Sequence, residues 1–140
     1  MLRRRPYLDP LKDAPARAAI TSACASLRQR PTTVGPLPLI TAPAAFTLGA
    51  RTAWNTHPNG QTIWVTEGVG LVQRGGGPIE VIRPGDRVFF EPGEDYWHGA
   101  APSCFMTHLA MLDVNDKGNS ATWGAHVTDE EYGAAPPIDK

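Results

Sequence analysis

From Phe46 onward the chain is a succession of short apolar runs cut by glycine and proline turns at close spacing. Gln61–Glu67 is rich in Thr, Ile, Trp and Val, and Gly68 to Gly70 interrupts it. Leu71–Arg74 resumes the pattern, then Gly75, Gly76, Gly77 and Pro78 make a tight connection. Ile79–Ile82 runs into Arg83-Pro84-Gly85-Asp86, Arg87–Phe90 runs into Pro92-Gly93-Glu94, and Phe105–Leu112 closes the series. Strand-forming runs separated by turns every eight to twelve residues predict an all-β sandwich or barrel. A helical period is absent here. The exception is Thr128–Tyr132, where Thr128 and Glu131 have capping-box spacing and predict a short C-terminal helix.

The first 45 residues have a different texture. They hold seven basic residues against two acids, whereas residues 46–140 hold six basic and twelve acidic ones. Half of the 14 prolines also fall in residues 1–45. The sequence therefore divides into a basic, proline-containing N-terminal arm (1–45) and a barrel (46–140). Ala16 to Arg28 has helical spacing at Ile20, Cys24 and Leu27. Val34, Leu37, Leu39 and Ile40 lie among prolines that confine a strand to a sheet edge. The segment from Thr33 to Ile40 is a candidate for a strand exchanged with a second copy, and a homodimer is expected.

The near-neutral balance, a formal −1, gives no reason to expect nucleic-acid binding. No apolar run approaches the ~18 residues of a membrane span. The three N-terminal arginines lead into no apolar segment of the kind a secretory signal has. Cys24 and Cys104 have no zinc-type spacing and are expected as reduced thiols in a cytoplasmic protein.

Alternation in strands sorts side chains by face. Asn55 and His57 fall on one face, as do Tyr96 and His98, and so do Met106, His108, Ala110 and Leu112. Three of the four histidines are thereby spaced to converge inside one barrel, and His126, near the acidic tail, is expected at the surface. Trp54, Trp64, Trp97 and Phe105 are expected to pack.

These residues also carry a resemblance. Gly49, Asn55, His57, Gln61 and Gly68 fall at the spacing of the first cupin motif, which has two histidines where this chain has Asn55 and His57. Gly85, Glu91, Gly93 and Tyr96 fall at the spacing of the second, with Tyr96 in the place of its histidine. Residues 51–62, 92–102, 106–110 and 126–132 are similar, in order, to the bacterial cupin group that includes hydroxynitrile lyases. The resemblance implies a small jelly-roll (double-stranded β-helix) barrel. It implies a divalent metal, manganese or iron, held at the positions of Asn55, His57, Gln61 and Tyr96, and proton transfer by His108. His98 would orient or assist, and Tyr96 is a further candidate for a catalytic role.

Two of the four ligand positions depart from that pattern. An amide oxygen at Asn55 is a weaker ligand than imidazole, and a phenol at Tyr96 ligates well only as phenolate. Three functions therefore stay open: a lyase that cleaves a cyanohydrin to a carbonyl compound and cyanide, another metal-dependent enzyme such as an oxygenase or isomerase, and a ligand-binding cupin with an altered metal site. Each takes a small molecule as its partner.

Overall fold

The computed structural model describes residues 39–138. The helical spacing at Ala16 to Arg28, Cys24, and Val34 to Leu37 lie outside the described residues. Nine strands follow one another: β1 Leu39–Phe46, β2 Ala53–Thr56, β3 Gln61–Gly68, β4 Gly70–Arg74, β5 Ile79–Ile82, β6 Arg87–Phe90, β7 Tyr96–Ala100, β8 Met106–Asp113 and β9 Thr122–His126. One short helix, α1 (Asp129–Gly133), closes the described chain. The strands form two antiparallel sheets, ordered β1-β8-β3-β6 and β5-β4-β7-β2-β9. This is the all-β sandwich expected from the turn spacing, and the jelly roll that the cupin resemblance implied.

The turn residues explain why the strands end where they do. Gly68 closes β3 with φ of 75°, a conformation that costs glycine little and side-chain-bearing residues more. A Cβ there would also run into the Phe105 carbonyl, so the position combines a special backbone with a close approach. Strand β1 begins at Leu39, ahead of the boundary drawn at Phe46, and pairs along its whole length with β8 of the same chain, from Leu39↔Asp113 to Phe46↔Met106. Pro43 is accommodated because β1 is the edge strand of its sheet.

Two apolar clusters hold the fold. The first lies between the sheets and contains Phe46, Ile63, Val65, Val72, Ile82, Phe90, Tyr96, Ala100 and Met106. The second covers the outer side of the five-stranded sheet, where Leu71 and Trp97 meet Val127 and Tyr132. The C-terminal helix is what covers that face. Thr128 and Glu131 form a reciprocal capping box, with Glu131 N–H donating to the Thr128 hydroxyl (3.1 Å) and Thr128 N–H to the Glu131 carboxylate (2.7 Å). Tyr132 donates to the Ala100 carbonyl (2.7 Å), and Arg51 lies 4.4 Å over its ring while bonding Asp129 and the Val127 carbonyl.

Trp97 is fully buried and Trp54 packs on the second cluster, as expected of core aromatics. Trp64 and Phe105 do not follow: each is 46% exposed. Trp64 alternates with buried Ile63 and Val65, so the pleat turns it to the outer face. His126 is exposed, as its position near the acidic tail suggested. Among the described residues, no helix is long and apolar enough to cross a membrane.

Candidate functional site

One cavity of about 130 Å³ opens between the two sheets at the end where β1, β8 and the residues before β9 meet. Strand β2 supplies Asn55, and the turn after it supplies His57. Gln61 comes from β3, His98 from β7 and His108 from β8. The inward face of β1 contributes Ile40, Ala42, Ala44 and Phe46, opposite Leu112, Ala110, His108 and Met106 of β8. Asn55 and Tyr96 are register partners across β2 and β7. The alternation that grouped Asn55 with His57, and His98 with Tyr96, thus turns all four inward and buries them.

His57 is held by its ring nitrogen Nδ1, which lies 2.5 Å from the Ser120 carbonyl. A carbonyl only accepts, so Nδ1 carries the proton and Nε2 keeps its lone pair. Burial lowers the pKa of His57, and the Ser120 bond opposes this more weakly. His98 and His108 meet through their Nε2 atoms at 3.1 Å. One must donate and the other accept, so the two neutral rings hold different tautomers. Their Nδ1 atoms are buried without hydrogen-bond partners among the described residues. Phe46 stacks on His108 (5.6 Å between centroids) and meets His98 edge-on (5.4 Å). Burial pushes His98 well below the ordinary histidine range, with smaller contributions from His108 and His57. It brings His108 to about 4, against a weaker upward pull from the Leu109 backbone. All three imidazoles are neutral at neutral pH.

Two of the four groups expected to hold a metal, the Gln61 amide oxygen and the Tyr96 hydroxyl, are engaged with each other. The Tyr96 hydroxyl donates to Oε1 of Gln61, the atom through which an amide would ligate. The Tyr96 ring lies flat on Phe90, with 3.4 Å between centroids and 3° between planes. Asn55 directs its amide nitrogen to the carbonyls of Ala53 (3.0 Å) and Tyr96 (3.2 Å). Of the four positions, only His57 has the arrangement usual for a metal-bound imidazole, with the other ring nitrogen donating to a carbonyl. Among the described residues, no three His, Cys, Asp or Glu side chains converge on a point that could hold an ion. The residues present do not fit the four-ligand centre that the motif spacing implied.

Several cavity residues were not anticipated. Thr52 Oγ1 accepts from the His98 backbone N–H (3.2 Å) and lies 3.4 Å from the Asn55 amide, tying β7 to the segment before β2. Ser120, Ala121 and Trp123 line the mouth. Thr52 falls inside a stretch already singled out. Residues 114–121 and β9 have no alternation that could have marked them.

A cupin-domain model matches residues 45–105, from the end of β1 through β7. With that match and the relative described next, the chain belongs to the cupin family. It is similar to an (R)-mandelonitrile lyase of Granulicella tundricola, with 52% identity over 109 residues, spanning 76% of this chain and 82% of that one. A cupin-like protein from Thermotoga maritima has 37% identity and a TM-score of 0.65, over 69% of this chain and 73% of its own. The polyketide cyclase RemF of Streptomyces resistomycificus, at 17% identity and a TM-score of 0.56 over 70% and 68% of the two chains, shares the fold.

Proposed function

We propose that the cavity binds a small uncharged hydroxy or carbonyl compound and that the protein is a lyase acting on cyanohydrins. The observation that carries this reading is the pair of neutral imidazoles His98 and His108, joined Nε2 to Nε2 on the wall of a cavity without formal charge. Its 52% identity to a mandelonitrile lyase supplies the reaction class. A cytoplasmic location belongs to the same reading.

In this scheme the substrate hydroxyl replaces His98 at Nε2 of His108 and gives its proton to that lone pair, His108 being the tautomer protonated at Nδ1. The O–H electrons form the carbonyl π bond, and the bond to the nitrile carbon breaks with its electron pair leaving as cyanide. The imidazolium then passes the proton to cyanide, giving hydrogen cyanide and an aldehyde or ketone. A depressed pKa makes His108 a modest base but a ready acid, which suits the second half of the step. The apolar wall of β1 and β8 takes the carbon substituent.

Incubating the purified protein with mandelonitrile tests the reading. Benzaldehyde release above that of the His108→Ala variant is expected, and equal release from the two proteins would sink it. A second reading, ligand binding without turnover, is favoured by the Tyr96–Gln61 hydrogen bond, which satisfies within the protein two groups that would otherwise serve a metal. Benzaldehyde binding with no conversion of mandelonitrile would decide for it.

A further inference from the structure

The mouth of the cavity differs from its floor. The floor is polar and committed, since each imidazole and amide there already has a partner in the protein. The mouth carries Trp123, which lines the cavity and is nonetheless 52% exposed. Its strand, β9, is the outer edge of the five-stranded sheet, exposed along its whole length. Trp123 is the register partner of Asn55, so the indole sits one strand away from the polar cluster. Among the described residues it makes no ring stacking or hydrogen bond. The other half-exposed aromatics of β3 and β6, Trp64 and Phe89, do not line the cavity. Trp123 alone of these combines an uncommitted aromatic surface with access to the site.

The surroundings say what that surface could meet. The residues lining the cavity include no Asp, Glu, Lys or Arg, so nothing there compensates a carboxylate or phosphate. The nearby walls are small, with Ala42, Ala44, Ala110 and Ala121. Space beside small side chains, closed by an indole, suits a flat ring, because aromatic pairs gain from offset or edge contacts beyond the area they bury.

We propose that Trp123 is a specificity-determining residue: its indole packs against the aryl ring of an uncharged aromatic carbinol or aldehyde whose oxygen faces His98 and His108. The orientation of the oxygen rests on the lyase reading, while the aryl contact does not.

The test is a binding measurement that needs no turnover. Dissociation constants of benzaldehyde and of cyclohexanecarbaldehyde are measured by calorimetry for the wild type, Trp123→Leu and Trp123→Phe. Circular dichroism confirms that each variant is folded. Trp123→Leu should weaken benzaldehyde about five- to tenfold and cyclohexanecarbaldehyde by less than half of that factor, with Trp123→Phe close to wild type. Benzoate should bind at least tenfold more weakly than benzaldehyde to the wild type. Equal losses for the two aldehydes, no loss in Trp123→Leu, or no benzaldehyde binding by the wild type overturns the assignment. Cleavage of mandelonitrile with an unchanged aryl preference in Trp123→Leu would remove this inference and leave the lyase reading. Selective aryl binding through Trp123 without cleavage would do the reverse.

Discussion

The hydroxyl of Tyr96 on β7 donates to the amide oxygen of Gln61 on β3, joining the two sheets through the position where the motif spacing implied a metal ligand. The bond is buried, and the Tyr96 ring is fixed against Phe90 behind it. Two motif positions have thereby become a structural contact. The double variant Asn55→His/Tyr96→His removes the hydroxyl, frees Gln61 and restores the imidazoles. After incubation with manganese and desalting, elemental analysis is expected to find little metal in the wild type and close to one ion per chain in the double variant. Stoichiometric metal in the wild type, or no gain in the variant, would contradict this account of the site.

Stability should fall on mild acidification, for a reason local to the cavity. His108 is held at about 4 in the folded protein, whereas an unfolded histidine titrates near 6.5. Below about pH 6.5 the unfolded chain takes up a proton that folded His108 refuses, so the contribution is present above that pH and is lost progressively down to about 4. His108 alone accounts for about 3 kcal/mol over that window. No Asp, Glu, Lys or Arg lines the cavity to oppose the effect, and His57 and His98 shift in the same direction. Urea unfolding between pH 7.5 and 5 should show the decline, and His108→Gln should lessen it. A slope unchanged by that substitution would place the effect elsewhere.

Much of this was legible in the primary structure, and the gaps have physical causes. Turn chemistry is local, so the breaks at Gly68, at Gly85 and Asp86, and at Pro92 and Gly93 marked strand ends without knowledge of the fold. Alternation is local too, so it put Asn55, His57 and His98 on inward faces. The same rule turns Trp64 outward, although its size suggested core packing. Partner choice is different. Nothing in the spacing of Gln61 and Tyr96, 35 residues apart, says that one will bond the other across the sandwich. The backbone carbonyl of Ser120 that fixes the His57 tautomer has no signature in residue identity at all, because every residue carries one. Trp123 stayed hidden because β9 is exposed along its length and has no alternation to read.

The outer face of the four-stranded sheet is expected to meet a second copy of the chain. Trp64 (46% exposed) and Phe89 (49% exposed) lie there with half-buried Leu109 and Met111, and Leu109 is register partner to both Trp64 and Pro43. A two-fold pairing sets the same patch of each copy against the other. Four strands about 4.8 Å apart make a patch whose pairing buries roughly 1,000 Å² in total, near the lower limit for a specific dimer. Sedimentation at micromolar concentration should give a dimer mass, and Trp64→Lys/Phe89→Lys a monomer. A monomeric wild type would refute the pairing.

Gly99 follows His98 on β7, bridges to Arg51, and has no room for a side chain. A Cβ there would lie 2.6 Å from the Arg51 Cα and closer still to the Ala50 carbonyl, both of them backbone atoms that cannot rotate away. Two hydrogen bonds fasten this contact on either side, Ala100 N–H to the Ala50 carbonyl (2.8 Å) and Thr52 N–H to the His98 carbonyl (2.9 Å). Gly99→Ala must push the 50–52 segment off β7, which strains both bonds and moves Thr52 away from the His98 backbone. A loss of about 1–3 kcal/mol is expected, as for overpacking elsewhere. The displacement should also reach the site, because His98 hangs from the same stretch of backbone. The variant is therefore expected to unfold at lower urea and to bind benzaldehyde more weakly, whereas Gly76→Ala, at a positive-φ turn with open space around it, should lower stability and leave binding intact. Equal binding losses in the two glycine variants would mean that the close approach at Gly99 does not position His98.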